Sequence, residues 1–407
     1  MHRRCNILVI KKITYTLLTR GAVAMALLLN LIICSRYLGS AVVGQLSLLI
    51  LNMAIIHTVA EIFTGSSMVY FVPRVHFKKL YERGLLWTLC CVPLLSLIFY
   101  LASPLLRPLA LHLLLLAFLS ALSNFHTYLL LGREAIRSYN LLVFFQPLTS
   151  LSILCFCIFY LHWQNISAAL MALYGSYTGT VLISCYLLKV LPESGSELSP
   201  PTWKDVLQRG FTNQLANLAH LLSNRYNYYV VAGISTAALG VLSSGTSLIE
   251  SVWTVSAAIS PLVLTKVANS AGGSQEARLS IRLAWLSLGL SAIAVVILLF
   301  IPATFFSQLL GKDFAAVKHV MLLLSPGVLA LSFSSVLSHY YSGLGRQRIL
   351  LSANAAGLLI TLLSSYFLIH RYGLSGACVV ASLAYVVQCG VLCWFFLGDW
   401  GKRKAAN

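Results

Sequence analysis

Four ionisable residues stand inside long apolar runs, and their spacing is the first clue to chemistry. Arg225 lies 12 residues before Ala237 and Glu250 lies 13 after it. If the chain turns at Ala237, the rise of about 1.5 Å per helical residue brings both to nearly the same depth. Arg20 and Glu61 repeat the arrangement 20 residues before and 21 after Ser40. An ionisable group within lipid costs several kcal/mol unless paired or hydrated, so such groups mark either a binding cavity or a structural ion pair. For Arg225 and Glu250 the sequence allows both readings. Arg20 sits near enough to a helix end to extend its charge to the interface.

Neutral polar residues add a second feature. Asn213, Asn217, His220, Asn224 and Tyr228 recur at spacings of three and four and so share one helix face. That stripe cannot face lipid, so it must face other helices or water. A cavity wall that hydrogen-bonds a ligand and a seam of interhelical hydrogen bonds both satisfy the pattern. His57 lies one turn before Glu61, where it could form a proton-sensitive pair with it or serve as a satisfied interior histidine.

These residues need elements to hold them, and the composition says which. Of 407 residues 59% are hydrophobic and 9% charged, with a mean hydropathy of +0.86. That places the chain among membrane proteins. Runs near 13–36, 43–67, 84–103, 109–131, 140–160, 166–188, 211–233, 239–263, 283–303, 318–341, 349–369 and 374–397 are each long enough to cross the hydrocarbon core as a helix. Basic Arg3, Arg4, Lys11 and Lys12 precede the first run, with no clean cleavage site after it, so it reads as an uncleaved span. With the amino terminus inside, the cytoplasmic segments carry 21 Lys and Arg, the outer loops five, and Arg20 and Arg225 lie within spans. The positive-inside rule therefore puts both termini in the cytoplasm. The net charge of +18 belongs to loops beside an anionic leaflet and not to a nucleic-acid surface.

The longest polar stretch, 189–210, is rich in Pro, Ser and Gly. It reads as a cytoplasmic linker between a six-helix bundle over 1–188 and another over 211–407. Its end, from Trp203 to Arg209, has the pattern of a short amphipathic surface helix. The halves look alike: LGSAVVGQLSLL at 38–49 matches ISTAALGVLSSG at 234–245. The matched pairs are Ser40/Thr236, Ala41/Ala237, Gly44/Gly240, Leu46/Leu242 and Ser47/Ser243. Both halves start inside, so the repeat is parallel, and the expected architecture is all-α, with about twelve spans in two bundles around a central cavity. Pro147, Pro261 and Pro326 are expected to kink their helices. The ten cysteines show no paired zinc-ligand spacing, and most lie in apolar runs. No phosphate-binding glycine loop or catalytic constellation is present in the sequence, so the expectation is a transporter without cofactor or metal, not an enzyme.

Several short motifs then resemble one family. Arg36-Tyr37-Leu38-Gly39 followed by Gly44-Gln45-Leu46-Ser47 resembles the first loop of the Wzx-type polysaccharide flippases. Ser223-Asn224-Arg225-Tyr226-Asn227 and then Ala238-Leu239-Gly240 resemble their seventh span, where Asp is common at the position of Asn227. Gly311-Lys312-Asp313-Phe314, Tyr341-Ser342-Gly343-Leu344-Gly345-Arg346 and Tyr372-Gly373-Leu374-Ser375-Gly376-Ala377 follow in order. These flippases belong to the multidrug/oligosaccharidyl-lipid/polysaccharide (MOP) exporter superfamily. The resemblance implies translocation of undecaprenyl-pyrophosphate-linked oligosaccharide, O-antigen or a related surface polysaccharide, across the bacterial inner membrane. Implied partners are that lipid-linked glycan, membrane lipids and polysaccharide polymerase machinery. A drug or cation antiporter of the same superfamily is the alternative, followed by an integral-membrane polymerase, which would need a large outer loop.

Overall fold

The structure, a computed structural model, describes residues 2–190, 201–269 and 274–405, with side chains over 19–190, 201–254, 256–269 and 275–400. Residues 191–200 of the expected linker lie outside the described residues, as do the side chains of the basic clusters at both termini. Every regular element described is a helix.

Eight helices among the described residues are long and apolar enough to cross a membrane, or nine when the bent pair Thr236–Trp253 and Ser256–Ala268 counts as one span. Two of the eight, Thr19–Phe71 and Gln347–Trp400, run for 53 and 54 residues. Either would far exceed the ~30 Å hydrocarbon core if straight. Each is broken at a glycine in a conformation that side chains resist, Gly39 at φ 80° and Gly373 at φ 56°, and so makes two spans. Trp203–Ile234 has the length of a span but too many Asn and His residues to join the apolar set. With it the count reaches about twelve. The bend of 47° in span eight falls between Trp253 and Ser256, ahead of Pro261. Pro147 and Pro326 lie within Ile136–Cys155 and Val317–Gly343, each described as one continuous helix.

The chain clusters into two compact units: Met1–Leu38 with Leu49–Gln214, and Gly39–Leu48 with Leu215–Asn407. In the first unit Phe63, Met68, Leu80, Phe125 and Leu129 form one buried core, and Leu49, Ile56, Val92, Leu113 and Leu116 another. In the second, Val336, Tyr340, Tyr341, Leu392 and Phe396 pack together.

Within the second unit the matched residues of the sequence repeat meet one another. A Cβ on Gly44 would lie 1.9 Å from the Thr236 carbonyl oxygen, and one on Gly240 would lie 1.9 Å from the Ser40 carbonyl oxygen. Only glycine fits either place. One turn further on, the Ser47 hydroxyl donates to Ser243 Oγ at 2.8 Å. Asp313 caps the start of span two, its Oδ2 accepting from the Ser40 amide at 3.4 Å and from the Ser40 hydroxyl at 3.2 Å. The reciprocity makes the contact a local two-fold built from the repeat itself.

Candidate functional site

Span seven carries the polar stripe, and a side-chain cap fixes its start. At its start the Thr202 amide and hydroxyl donate to Asp205 Oδ2, at 2.9 and 2.6 Å, while the Asp205 amide donates back to Thr202 Oγ1 at 3.3 Å. This is a reciprocal capping box. After Ile234 the chain is extended at Ser235, whose hydroxyl oxygen accepts from the Ala238 amide at 3.2 Å and starts span eight. That turn sends span eight back alongside span seven.

The turn brings Arg225 and Glu250 together. Arg225 Nη1 donates to Glu250 Oε1 at 3.1 Å, and Nη2 donates to Oε2, so the pair is bidentate. The fully buried Tyr385 of span twelve donates its hydroxyl to Glu250 Oε1. The guanidinium carbon also lies 5.2 Å from the Tyr228 ring centroid. The pair is not sealed in, because its side chains keep 23% and 17% of their accessible surface. Glu250 is therefore held by two donors, and Arg225 retains N–H groups not used on Glu250.

Around the pair lies a network of neutral polar groups. Asn224 and His220 share a hydrogen bond of 3.1 Å. Gln388, one turn beyond Tyr385, donates to Ser223 Oγ at 2.7 Å and to Asn224 Oδ1 at 3.3 Å. From span eleven, Thr361 donates to the Ser223 carbonyl at 2.8 Å and Asn354 to the Ala216 carbonyl at 3.0 Å. Spans eleven and twelve thus hold one side of span seven. On the stripe itself, Asn217 is exposed and Asn213, His220 and Asn224 are half-buried, as is Arg225 beside it. Tyr228 departs from the stripe and is buried. Lipid gives such amides no partner, so their open surface suits water or a polar ligand.

Asn227 is buried, and its amide nitrogen donates to the Ala377 carbonyl at 3.1 Å. An ionised Asp could not make that bond, which gives a physical reason for the amide at this position. Its Oδ1 has no hydrogen-bond partner among the described residues.

The first half arranges its residues differently. Arg20 is exposed. Glu61 is half-buried and accepts a long hydrogen bond, 3.4 Å, from Gln214 Nε2. Among the described residues no ion pair joins Arg20 to Glu61, so matched depth does not bring that pair together. Among the described residues no hydrogen bond joins His57 to Glu61, which accepts instead from Gln214. Tyr385, Gln388, Asn354 and Thr361 are absent from the residues picked by sequence. The signal for Gln388 was a lone amide in the apolar run Tyr385-Val386-Val387-Gln388-Cys389.

The chain matches no protein-family model and no curated protein. It is similar to solved structures of transporters. One is the inward-facing conformation of a multidrug resistance MATE family transporter of the MOP superfamily, with a TM-score of 0.73, 16% identity, and coverage of 95% of this chain and 99% of that one. Another is the lipid II flippase MurJ in an inward closed conformation, at 0.69 and 14%, covering 95% of this chain and 87% of that one. A third is a Vibrio cholerae MATE transporter, at 0.63 and 14%, covering 96% and 97%. Identities this low speak to the fold alone. The chain is a multi-pass membrane protein whose fold is similar to that of these transporters.

Proposed function

We propose that this protein is a Wzx-like flippase that moves undecaprenyl-pyrophosphate-linked oligosaccharide repeat units, O-antigen or a related surface polysaccharide, across the bacterial inner membrane by alternating access. Both termini lie in the cytoplasm, as the charge asymmetry of the loops requires. The observation that carries the reading is Arg225: a deep, partly open guanidinium, fixed by Glu250 and Tyr385 and flanked by neutral amides. A pyrophosphate can bind the N–H groups that Glu250 leaves over, in the fork geometry that arginine offers oxyanions. Asn213, Asn217, His220 and Asn224 hydrogen-bond sugar hydroxyls, while the polyprenyl chain stays in lipid. Similarity to a lipid II flippase supports a lipid-linked substrate, and the ordered Wzx-like motifs support a glycan repeat unit.

The similarity to MATE transporters keeps drug or cation export as the competing reading. Such a transporter needs a carboxylate open to a cation; Glu250 is committed to Arg225 and Tyr385, which leaves Glu61 as the carboxylate it would have to use. A deletion strain without a redundant flippase separates the two. The proposal expects lipid-linked repeat units to be made and to accumulate, with loss of surface polysaccharide. Normal polysaccharide with altered drug sensitivity would overturn it.

A further inference from the structure

Span twelve reaches the polar face of span seven with two buried side chains one turn apart. Tyr385 acts on it through Glu250 and Arg225, while Gln388 bonds to it directly. Gln388 gets there because span eleven is bare where the side chain crosses it. A Cβ on Gly357 would stand 2.5 Å from Gln388 Nε2, 2.6 Å from its Cγ and 2.7 Å from Ser223 Oγ. Glycine is an unfavourable residue inside a helix. Here it opens the path that the amide follows.

The hydrogen bonds at the end of that path have a direction. The Gln388 side chain is buried, and its Nε2 carries two hydrogens. One goes to Ser223 Oγ at 2.7 Å and the other to Asn224 Oδ1 at 3.3 Å. Asn224 Nδ2 can only donate, so its bond of 3.1 Å to His220 makes that ring's Nε2 the acceptor. Gln388 therefore decides which way round the Asn224 amide stands. Turned over, Asn224 would set its own NH2 group against that of Gln388, donor against donor. As it stands, Gln388 occupies Oδ1, and Asn224 Nδ2 keeps a second N–H beyond the one used on His220. Arg225, next in the chain, likewise offers only N–H groups, those not used on Glu250. Both residues are half-buried and so keep some open surface.

Neighbouring residues that offer donors alone suit a ligand with acceptors side by side. A glycosyl diphosphate has them, in its phosphate oxygens and in the oxygens of the sugar bonded directly to the phosphate. We propose that Gln388, seated over Gly357, is a positioning residue for that first sugar: it fixes Asn224 as a donor to a sugar oxygen while Arg225 takes the diphosphate. Gln388 acts through Asn224 and does not itself touch the substrate. This role rests on the flippase reading and divides the site into two arms. Tyr385 steadies the diphosphate arm through Glu250, and Gln388 steadies the sugar arm.

The test uses the purified full-length protein in neutral detergent, with lipid binding counted by native mass spectrometry. One probe is undecaprenyl diphosphate, and the other is the lipid-linked repeat unit extracted from the deletion strain. The parent should bind the repeat-unit lipid about fivefold more tightly than undecaprenyl diphosphate, the order of one neutral hydrogen bond. Gln388→Met keeps much of the side chain's bulk and removes its amide. It should abolish the preference and leave undecaprenyl diphosphate binding as in the parent. Gly357→Ala keeps the amide but displaces it, since the crowded atom is the end of a flexible side chain, and should have the same effect. Arg225→Gln should weaken both probes. A preference retained in Gln388→Met would overturn the positioning role. So would an equal weakening of both probes in that variant, which would make Gln388 a packing residue. A preference retained in Gly357→Ala alone would overturn the part given to Gly357. A parent that binds both probes equally would overturn the sugar arm and leave the flippase reading standing. A deletion strain that accumulates no lipid-linked repeat unit, or a parent that binds neither probe, would overturn the flippase reading and this role with it.

Discussion

Arg225 with Glu250 and Arg20 with Glu61 are set out along the sequence by the same rule, one residue of each pair on either side of a turn and at equal distance from it. In the second half they make a bidentate ion pair, with Tyr385 behind the carboxylate. In the first half Glu61 takes a long hydrogen bond from Gln214, and Arg20 is exposed. Depth along a helix is one coordinate of a side chain, and its angle around the helix is the other. Equal counts from a turn fix only the first. The second depends on the turn itself: left-handed at Gly39 before span two, extended at Ser235 before span eight. A third element is also needed. Span twelve supplies Tyr385 to the second pair, and no described span supplies a cation to Glu61.

The largest effect is expected where the two hairpins meet through their matched glycines. Gly44→Val and Gly240→Val each place a side chain where a carbonyl oxygen stands. Each should cost about 3 kcal/mol, at the upper end of overpacking effects. Size-exclusion profiles of the detergent-extracted variants would show a loss of monodisperse protein. Similar losses from the two changes would support the reciprocity of the contact, whereas a tolerant Gly240→Val would break it.

Arg225→Ala should come next. Stranding a fully buried partner costs about 3–5 kcal/mol, and the partial exposure of this pair reduces that to about 2 kcal/mol. Thermal unfolding in detergent would show the loss. Tyr385→Phe removes only a hydroxyl and should cost about 1 kcal/mol. It should also lower repeat-unit display, because Glu250 then holds Arg225 less firmly. Unchanged display in a stable Tyr385→Phe protein would confine the hydroxyl to a structural role. Arg20→Gln should be smallest, within about 0.5 kcal/mol, since the side chain is exposed. A destabilisation as large as that of Arg225→Ala would erase the contrast between the halves.

Much of this architecture is legible in the sequence because lipid punishes unsatisfied backbone, so long apolar runs must be helices. The repeat around Gly44 and Gly240 is legible for a similar reason: only glycine allows a backbone contact so close. Span seven is readable from its length and periodicity although it is too polar for a simple apolar count. Half of the Arg225 site could be read as well, since a charge deep in an apolar run stands out. Its other half could not. Tyr385, Asn354, Thr361 and Gln388 are ordinary residues of apolar spans, and only the packing of spans eleven and twelve on span seven gives them partners.

The central claim is that Arg225 anchors an anionic substrate and is not merely the partner that makes Glu250 tolerable. Single substitutions confuse the two roles, because each leaves a charge behind. Arg225→Gln combined with Glu250→Gln removes both charges with little change in volume. The direct measurement is surface polysaccharide in a deletion strain carrying this double variant, with its membrane level matched to the parent by immunoblot. The account predicts a normally inserted protein and no surface polysaccharide. Full restoration of polysaccharide by the double variant would contradict it.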